Sequence, residues 1–393
     1  MTNINARTRL KFLVGAAGFL LIACGGGGSS NSPQAPVIAV PPPPVAATPT
    51  YVPPNRILRD TFRNNFFVGA AISAGQLVEP EAVEILKSQF SSITAEFEMK
   101  PQDIAPTEGV YDWTASDALV DFAKLNNIQI RGHALVWHDS TPDYFFEGTD
   151  AEIKARLEDY ITTVMTRYKG HIRFWDVVNE VITDDDNAAI PYRQSNWYEA
   201  VGPAYIDWAF EAARAADPSA FLFINDYSTE LPEKRARLLT VVQDLKDRNI
   251  PLDGVGHQMH LFAPKSLVSD VLQAVDDVDN MFEGLTNHIT ELDINAYADP
   301  GSCYETGTNC DPDYGDALPA ELARKQAQMY RDLFQGFEAR SSVKSVTVWG
   351  LKDSDSWLNT NPVTRTNYPL LYDRDGNAKP AFRAIVDKEY KIP

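Results

Sequence analysis

From about residue 55 onward the chain alternates between two hydrophobic periods. Short apolar runs rich in β-branched and aromatic residues give way to longer stretches whose apolar positions recur about every three to four residues. The short runs predict strands near 66–72, 92–97, 128–137, 172–180, 221–226, 255–260, 288–294 and 343–350. The longer stretches predict helices, among them 115–125, 151–168, 205–216, 233–248 and 320–337. Eight strand–helix units in a chain of this length predict an α/β fold, a (β/α)8 barrel, as one domain over 55–393. A doubly wound open sheet is the alternative, but no glycine-rich phosphate turn follows the first strand.

The predicted strands end in polar and aromatic residues, which is what a site at the mouth of a barrel requires. Trp175-Asp176-Val177-Val178-Asn179-Glu180 runs from apolar residues into a carboxylate, and His288-Ile289-Thr290-Glu291-Leu292-Asp293-Ile294 has the same form. A carboxylate at the end of a buried strand is paired, protonated or placed at a site. Two of them point to acid/base and nucleophilic work. Other strand ends carry Glu96 and Lys100, His133 and Trp137, Asn225-Asp226-Tyr227, Gln258 and His260, and Trp349 with Trp357 following. Taken singly, a His or Trp in a barrel is usually a packing residue. Their convergence on one mouth is what marks a site. His257 and His260 have the look of a metal pair, but on a strand positions i and i+3 face opposite ways. No metal and no cofactor is expected, and no Gly-x-Ser-x-Gly elbow suggests a serine hydrolase.

Charge and the first residues add the cellular setting. With 35 basic against 54 acidic residues the net charge is −19, which disfavours nucleic acid and suits a neutral polymer. Residues 1–23 read as a signal peptide, with Arg7, Arg9 and Lys11 ahead of an apolar run too short to span a membrane comfortably. Leu21-Ile22-Ala23-Cys24-Gly25 resembles the bacterial lipoprotein cleavage box, which implies that Cys24 becomes the lipidated first residue of an exported, membrane-anchored protein, at the outer membrane or cell surface. Residues 24–54, rich in Gly, Ser and Pro, read as a tether behind that anchor. Cys303 and Cys310 fall in the loop after the seventh strand, where their spacing permits a disulfide and leaves two free thiols as the alternative.

Residues 131–138, 175–180, 225–227, 254–261, 289–293 and 347–351 resemble, in order, the motifs of family 10 glycoside hydrolases, the endo-β-1,4-xylanases. The resemblance implies a retaining hydrolase acting on xylan or xylo-oligosaccharides as a single, monomeric domain. It implies Glu180 as acid/base and Glu291 as nucleophile. Asn179 would bond a sugar 2-hydroxyl, His260 and Asp293 would hold Glu291, and Gln258 would lie beside the carboxylate pair. Glu96, Lys100, His133 and Trp137 would line the glycone side, with Trp349 and Trp357 walling the sugar. The chain departs from the pattern twice. Phe97 stands where the family usually has Asn, and Asp139-Ser140 where it has Ser-Gln. Both changes put the standard glycone contacts in doubt, and a related β-glycosidase narrowed to short or decorated xylo-oligosaccharides is the enzymatic alternative. A non-catalytic glycan-binding barrel is the other.

Overall fold

The computed structural model describes residues 57–393. The signal peptide, Cys24 and the tether therefore lie outside the described residues. Eight parallel strands close a barrel: β1 (Phe67–Ile72), β2 (Ser92–Ala95), β3 (Gln129–Gly132), β4 (Phe174–Asn179), β5 (Phe221–Asp226), β6 (Gly254–His257), β7 (Thr286–Asn295) and β8 (Val343–Val348). Each pairs with the next, and β8 pairs with both β7 and β1, so no edge remains. Helices α1 (Pro80–Gln89), α2 (Thr114–Leu125), α3 (Asp150–Tyr168), α4 (Ala204–Ala216), α5 (Pro232–Asp247), α6 (Val268–Met281), α7 (Ala320–Glu338) and α8 (Pro380–Val386) follow the strands in turn.

Local chemistry explains the elements. Strand β4 is buried at every position, as expected for a parallel strand covered on both faces. Helix α3 starts at a capping box in which Glu152 N–H donates to Thr149 Oγ1 while Thr149 N–H donates back to the Glu152 carboxylate. Such a cap contributes about 1 kcal/mol. The helix then buries Ile153, Leu157, Ile161, Val164 and Tyr168, a stripe at helical spacing whose aliphatic members each contribute roughly 1.5–3 kcal/mol. Helices α1, α5 and α8 open with proline, which needs no hydrogen-bond partner there.

Three strands differ from the sequence expectation at their functional ends. The third stops at Gly132, passes a cis peptide between His133 and Ala134, and resumes as Val136–Trp137. The sixth breaks at Gln258-Met259, where Met259 has a φ of 61°, and resumes as His260–Phe262. The second ends at Ala95, so Glu96 and Phe97 belong to a turn. At the third and sixth the chain leaves regular pairing beside residues that line a cleft, His133 and Trp137 at the one and Gln258 and His260 at the other. Gly132 allows a close approach: a Cβ there would sit 2.1 Å from the Trp175 ring. Register does the rest. It sets Asn179 beside Asn225 and, beyond the break, His260 beside Asp293.

Candidate active site

Two carboxylates reach the C-terminal mouth of the barrel from β4 and β7. Glu180 follows the last residue of β4 with a φ of 58°, a left-handed conformation uncommon for a residue with a Cβ. Hydrogen bonds hold it there. Its backbone N–H donates to the Asn225 carbonyl at 2.8 Å, and Arg193 Nε donates to the Glu180 carbonyl at 2.8 Å. The Glu180 carboxylate accepts from Gln258 Nε2 at 3.2 Å.

Glu291 is more enclosed, with 4% of its surface exposed. Its Oε1 accepts from Asn225 Nδ2 at 2.8 Å, and His133 Nδ1 lies 3.9 Å from the same oxygen. Its Oε2 faces His260 Nε2 at 3.3 Å. Burial pushes the Glu291 carboxyl up, but His133 and His260 outweigh burial and hold it below the usual carboxylate range.

His260 sits between two acids, because its Nδ1 lies 3.0 Å from Asp293 Oδ2. Ionised carboxylates only accept, so both ring nitrogens carry protons and the ring is an imidazolium. Burial opposes that charge, yet the attraction of Asp293 and Glu291 wins and the ring's pKa is pushed up to about 10. Trp357 Nε1 donates to the same Asp293 oxygen at 2.9 Å.

A row of amides ties the two carboxylates together. Asn225 Nδ2 and Gln258 Nε2 both donate to Asn179 Oδ1, at 2.8 and 3.2 Å. Behind His133 lies Asp176, fully buried and bonded by Arg131 Nε at 3.0 Å, a second Arg131 nitrogen, and His133 Nδ1 at 3.0 Å. Burial would raise Asp176, but Arg131 and His133 outweigh it and keep the carboxyl low. The His133 ring meets Trp349 edge-on at 5.3 Å.

Of the residues singled out in the sequence, Lys100, His133, Trp137, Asn179, Glu180, Gln258, His260, Glu291, Asp293, Trp349 and Trp357 line one cleft of about 370 Å³. Glu96 does not line it. Burial pushes Glu96 up to about 7, against the pull of nearby Lys100. Burial in turn lowers Lys100, against the attraction of Glu291, Glu96 and Glu180. His257 turns away to Thr229 and Asn287, at 2.8 and 3.0 Å, and shares no partner with His260. Cys303 and Cys310 form a disulfide with Cα atoms 4.9 Å apart, and Tyr304 beside it lines the cleft.

Sequence reasoning assigned no role to Asp176, Asn225, Arg193 or Tyr304. The signal for Asp176 was present, an acid inside an otherwise apolar strand, with a basic residue, Arg131, inside another. Asn225 was visible only as part of a polar strand end.

The sequence model of Glycosyl hydrolase family 10 matches residues 57–388. The chain belongs to glycosyl hydrolase family 10. Among its family relatives, it is 40% identical over 349 residues to a protein described as a thermostable celloxylanase from Thermoclostridium stercorarium, covering 84% of this chain and 87% of that one. It is 36% identical over 354 residues to endo-1,4-beta-xylanase A of Halalkalibacterium halodurans, covering 84% and 86%. The crystal structure of xylanase B from Clostridium stercorarium F9 superposes with a TM-score of 0.78 at 40% identity, covering 84% of this chain and 99% of that one.

Within this family 10 barrel the two departures have distinct surroundings. Phe97 is 48% exposed, so it does not pack between strand and helix. Lys100 Nζ lies 5.1 Å from the Phe97 ring and 4.5 Å from the Trp137 ring, so the ammonium has an aromatic face on either contact. Ser140 is buried at 2% exposure and is absent from the cleft lining, so its hydroxyl does not stand in for the amide that Phe97 replaces.

Proposed function

We propose that the protein is an endo-1,4-β-xylanase that cleaves xylan with retention of configuration. The observation that carries the reading is the unequal treatment of the two carboxylates. Glu291 is enclosed, accepts from Asn225 and faces an imidazolium, which suits a nucleophile that must stay anionic. Glu180 stands partly exposed at the cleft and accepts from one amide, which suits a group that exchanges protons with substrate and water.

In the first step Glu291 attacks the anomeric carbon as the glycosidic C–O bond breaks, and Glu180 gives its proton to the departing oxygen. In the second, Glu180 takes a proton from water, whose oxygen attacks the same carbon and releases Glu291. Such enzymes hold their carboxyl groups about 5–5.5 Å apart. Trp349 and Trp357 offer faces to pyranose rings, and Asn179 offers an amide to a hydroxyl. Azide separates the roles. Glu291→Ala should lose turnover and, with azide, yield an α-glycosyl azide. Glu180→Ala should still act slowly on activated aryl substrates and yield the β azide. The opposite pattern reverses the assignment.

A narrowing toward short or decorated xylo-oligosaccharides is favoured at one place, by the exposed phenyl ring of Phe97 beside Lys100. A non-catalytic barrel is disfavoured by the intact carboxylate pair and its supports. The lipid anchor at Cys24 and a membrane-bound, exported location form part of the proposal and rest on residues 1–54 of the sequence.

A further inference from the structure

We propose that the opposite, N-terminal end of the barrel carries a second binding site, for a small aromatic carboxylate with a hydrogen-bond acceptor at the far end of its ring. A cavity of about 380 Å³ opens there, among the first residues of β1, β4, β5, β7 and β8. It is separate from the carboxylate cleft, and the inference does not depend on the xylanase reading.

The rim is cationic in a chain whose net charge is −19. Arg59, Arg63, Arg173 and Lys344 stand around it against the single acid Asp60. Among the described residues, Arg63, Arg173 and Lys344 take part in no ion pair. Isolated surface cations are common, but several gathered at one hollow raise the local concentration of anions. The walls are aromatic. Phe174 lies 6.1 Å from Phe67 and 5.6 Å from Phe221 by ring centroids. The Arg173 guanidinium sits 4.9 Å from the Phe221 ring, which holds its charge at the entrance.

The floor supplies a donor. His288 is 1% exposed, and Arg131 lies 2.6 Å from its Nδ1. A guanidinium only donates, so Nδ1 accepts and the neutral ring carries its proton on Nε2. Burial, with Arg131 and Lys344 nearby, keeps the ring neutral. That Nε2–H is buried and has no partner among the described residues. Buried donors are rarely left unmet, and the proposed ligand's acceptor would meet this one. A ring laid against the packed phenyl cluster, a carboxylate among the rim cations and an acceptor at His288 satisfy all three features. The chain's own tether cannot supply the anion, because residues 24–56 contain no Asp or Glu.

The test is calorimetric titration of the full chain with 4-hydroxybenzoate, 4-hydroxybenzyl alcohol and inorganic phosphate, repeated on an Arg63→Glu/Lys344→Glu variant. Both positions are exposed. Binding of 4-hydroxybenzoate should be about tenfold or more tighter than binding of the neutral alcohol or of phosphate. The double variant should weaken it by about tenfold or more while leaving xylan hydrolysis unchanged. Saturating xylobiose should leave the binding intact. Phosphate binding as tightly as 4-hydroxybenzoate would overturn the aromatic part. Absence of binding, indifference to charge reversal, or displacement by xylobiose would each overturn the site.

Discussion

Asn225 offers a direct way to perturb Glu291, the proposed nucleophile, without touching it. Its Nδ2 donates to Glu291 Oε1 and to Asn179 Oδ1, both at 2.8 Å, and its Oδ1 accepts from Thr290 Oγ1 at 2.6 Å. Asn225→Ala removes one hydrogen bond to an ionised group, a contribution of about 1.5–3 kcal/mol. Losing it disfavours the anion, so the Glu291 carboxyl should titrate at higher pH than in the wild type. The direction follows from the charge states. The bond favours the anion, so its loss works against His133 and His260, which hold Glu291 below the usual carboxylate range. A nucleophile must be ionised, so the acid limb of kcat/KM moves to higher pH with it. The variant also leaves Thr290 Oγ1 without its acceptor, at a further cost of about 1–3 kcal/mol to the fold. The assay is the pH profile of kcat/KM on an aryl β-xylobioside, with circular dichroism and Tm showing that the variant is folded at each pH. A folded variant whose acid limb does not move would show that the Asn225 bond does not favour the Glu291 anion.

Two further predictions concern the glycone side and the N-terminus. Phe97→Asn should raise kcat/KM on short linear xylo-oligosaccharides about tenfold, or roughly 1.4 kcal/mol, because an amide can bond a sugar hydroxyl and a phenyl ring cannot. A folded variant with unchanged or lower kcat/KM would mean that the phenyl ring and Lys100 form a working glycone surface of a different kind. Cys24→Ser should release the protein from the membrane fraction with its hydrolytic rate intact. Mass spectrometry finding no lipid on the wild-type N-terminus would count against the anchor.

The periodic part of the fold was legible because parallel barrel strands are buried on both faces and their helices on one. Strand β4 and helix α3 show this plainly. The strand ends were harder. The stretches 128–137 and 255–260 each read as one strand, and the interruptions after Gly132 and His257 depend on backbone turns that no side-chain period encodes. Glu180 and Glu291 stood out as acids in apolar strands, although Glu291 lies inside β7 rather than at its end. Asp176 did not, because its meaning lies in Arg131 and His133 on a neighbouring strand. The site at the N-terminal end was invisible for the same reason. Arg173, Lys344 and His288 are far apart in the chain and meet only when the barrel closes.

In the proposed mechanism Glu291 and Glu180 act as nucleophile and acid/base in two successive displacements. Proton NMR of an ongoing xylo-oligosaccharide hydrolysis, recorded before mutarotation, tests it most directly. The β anomer of the new reducing end should appear first, and the α anomer should grow in only as the two equilibrate. Initial release of the α anomer would contradict it.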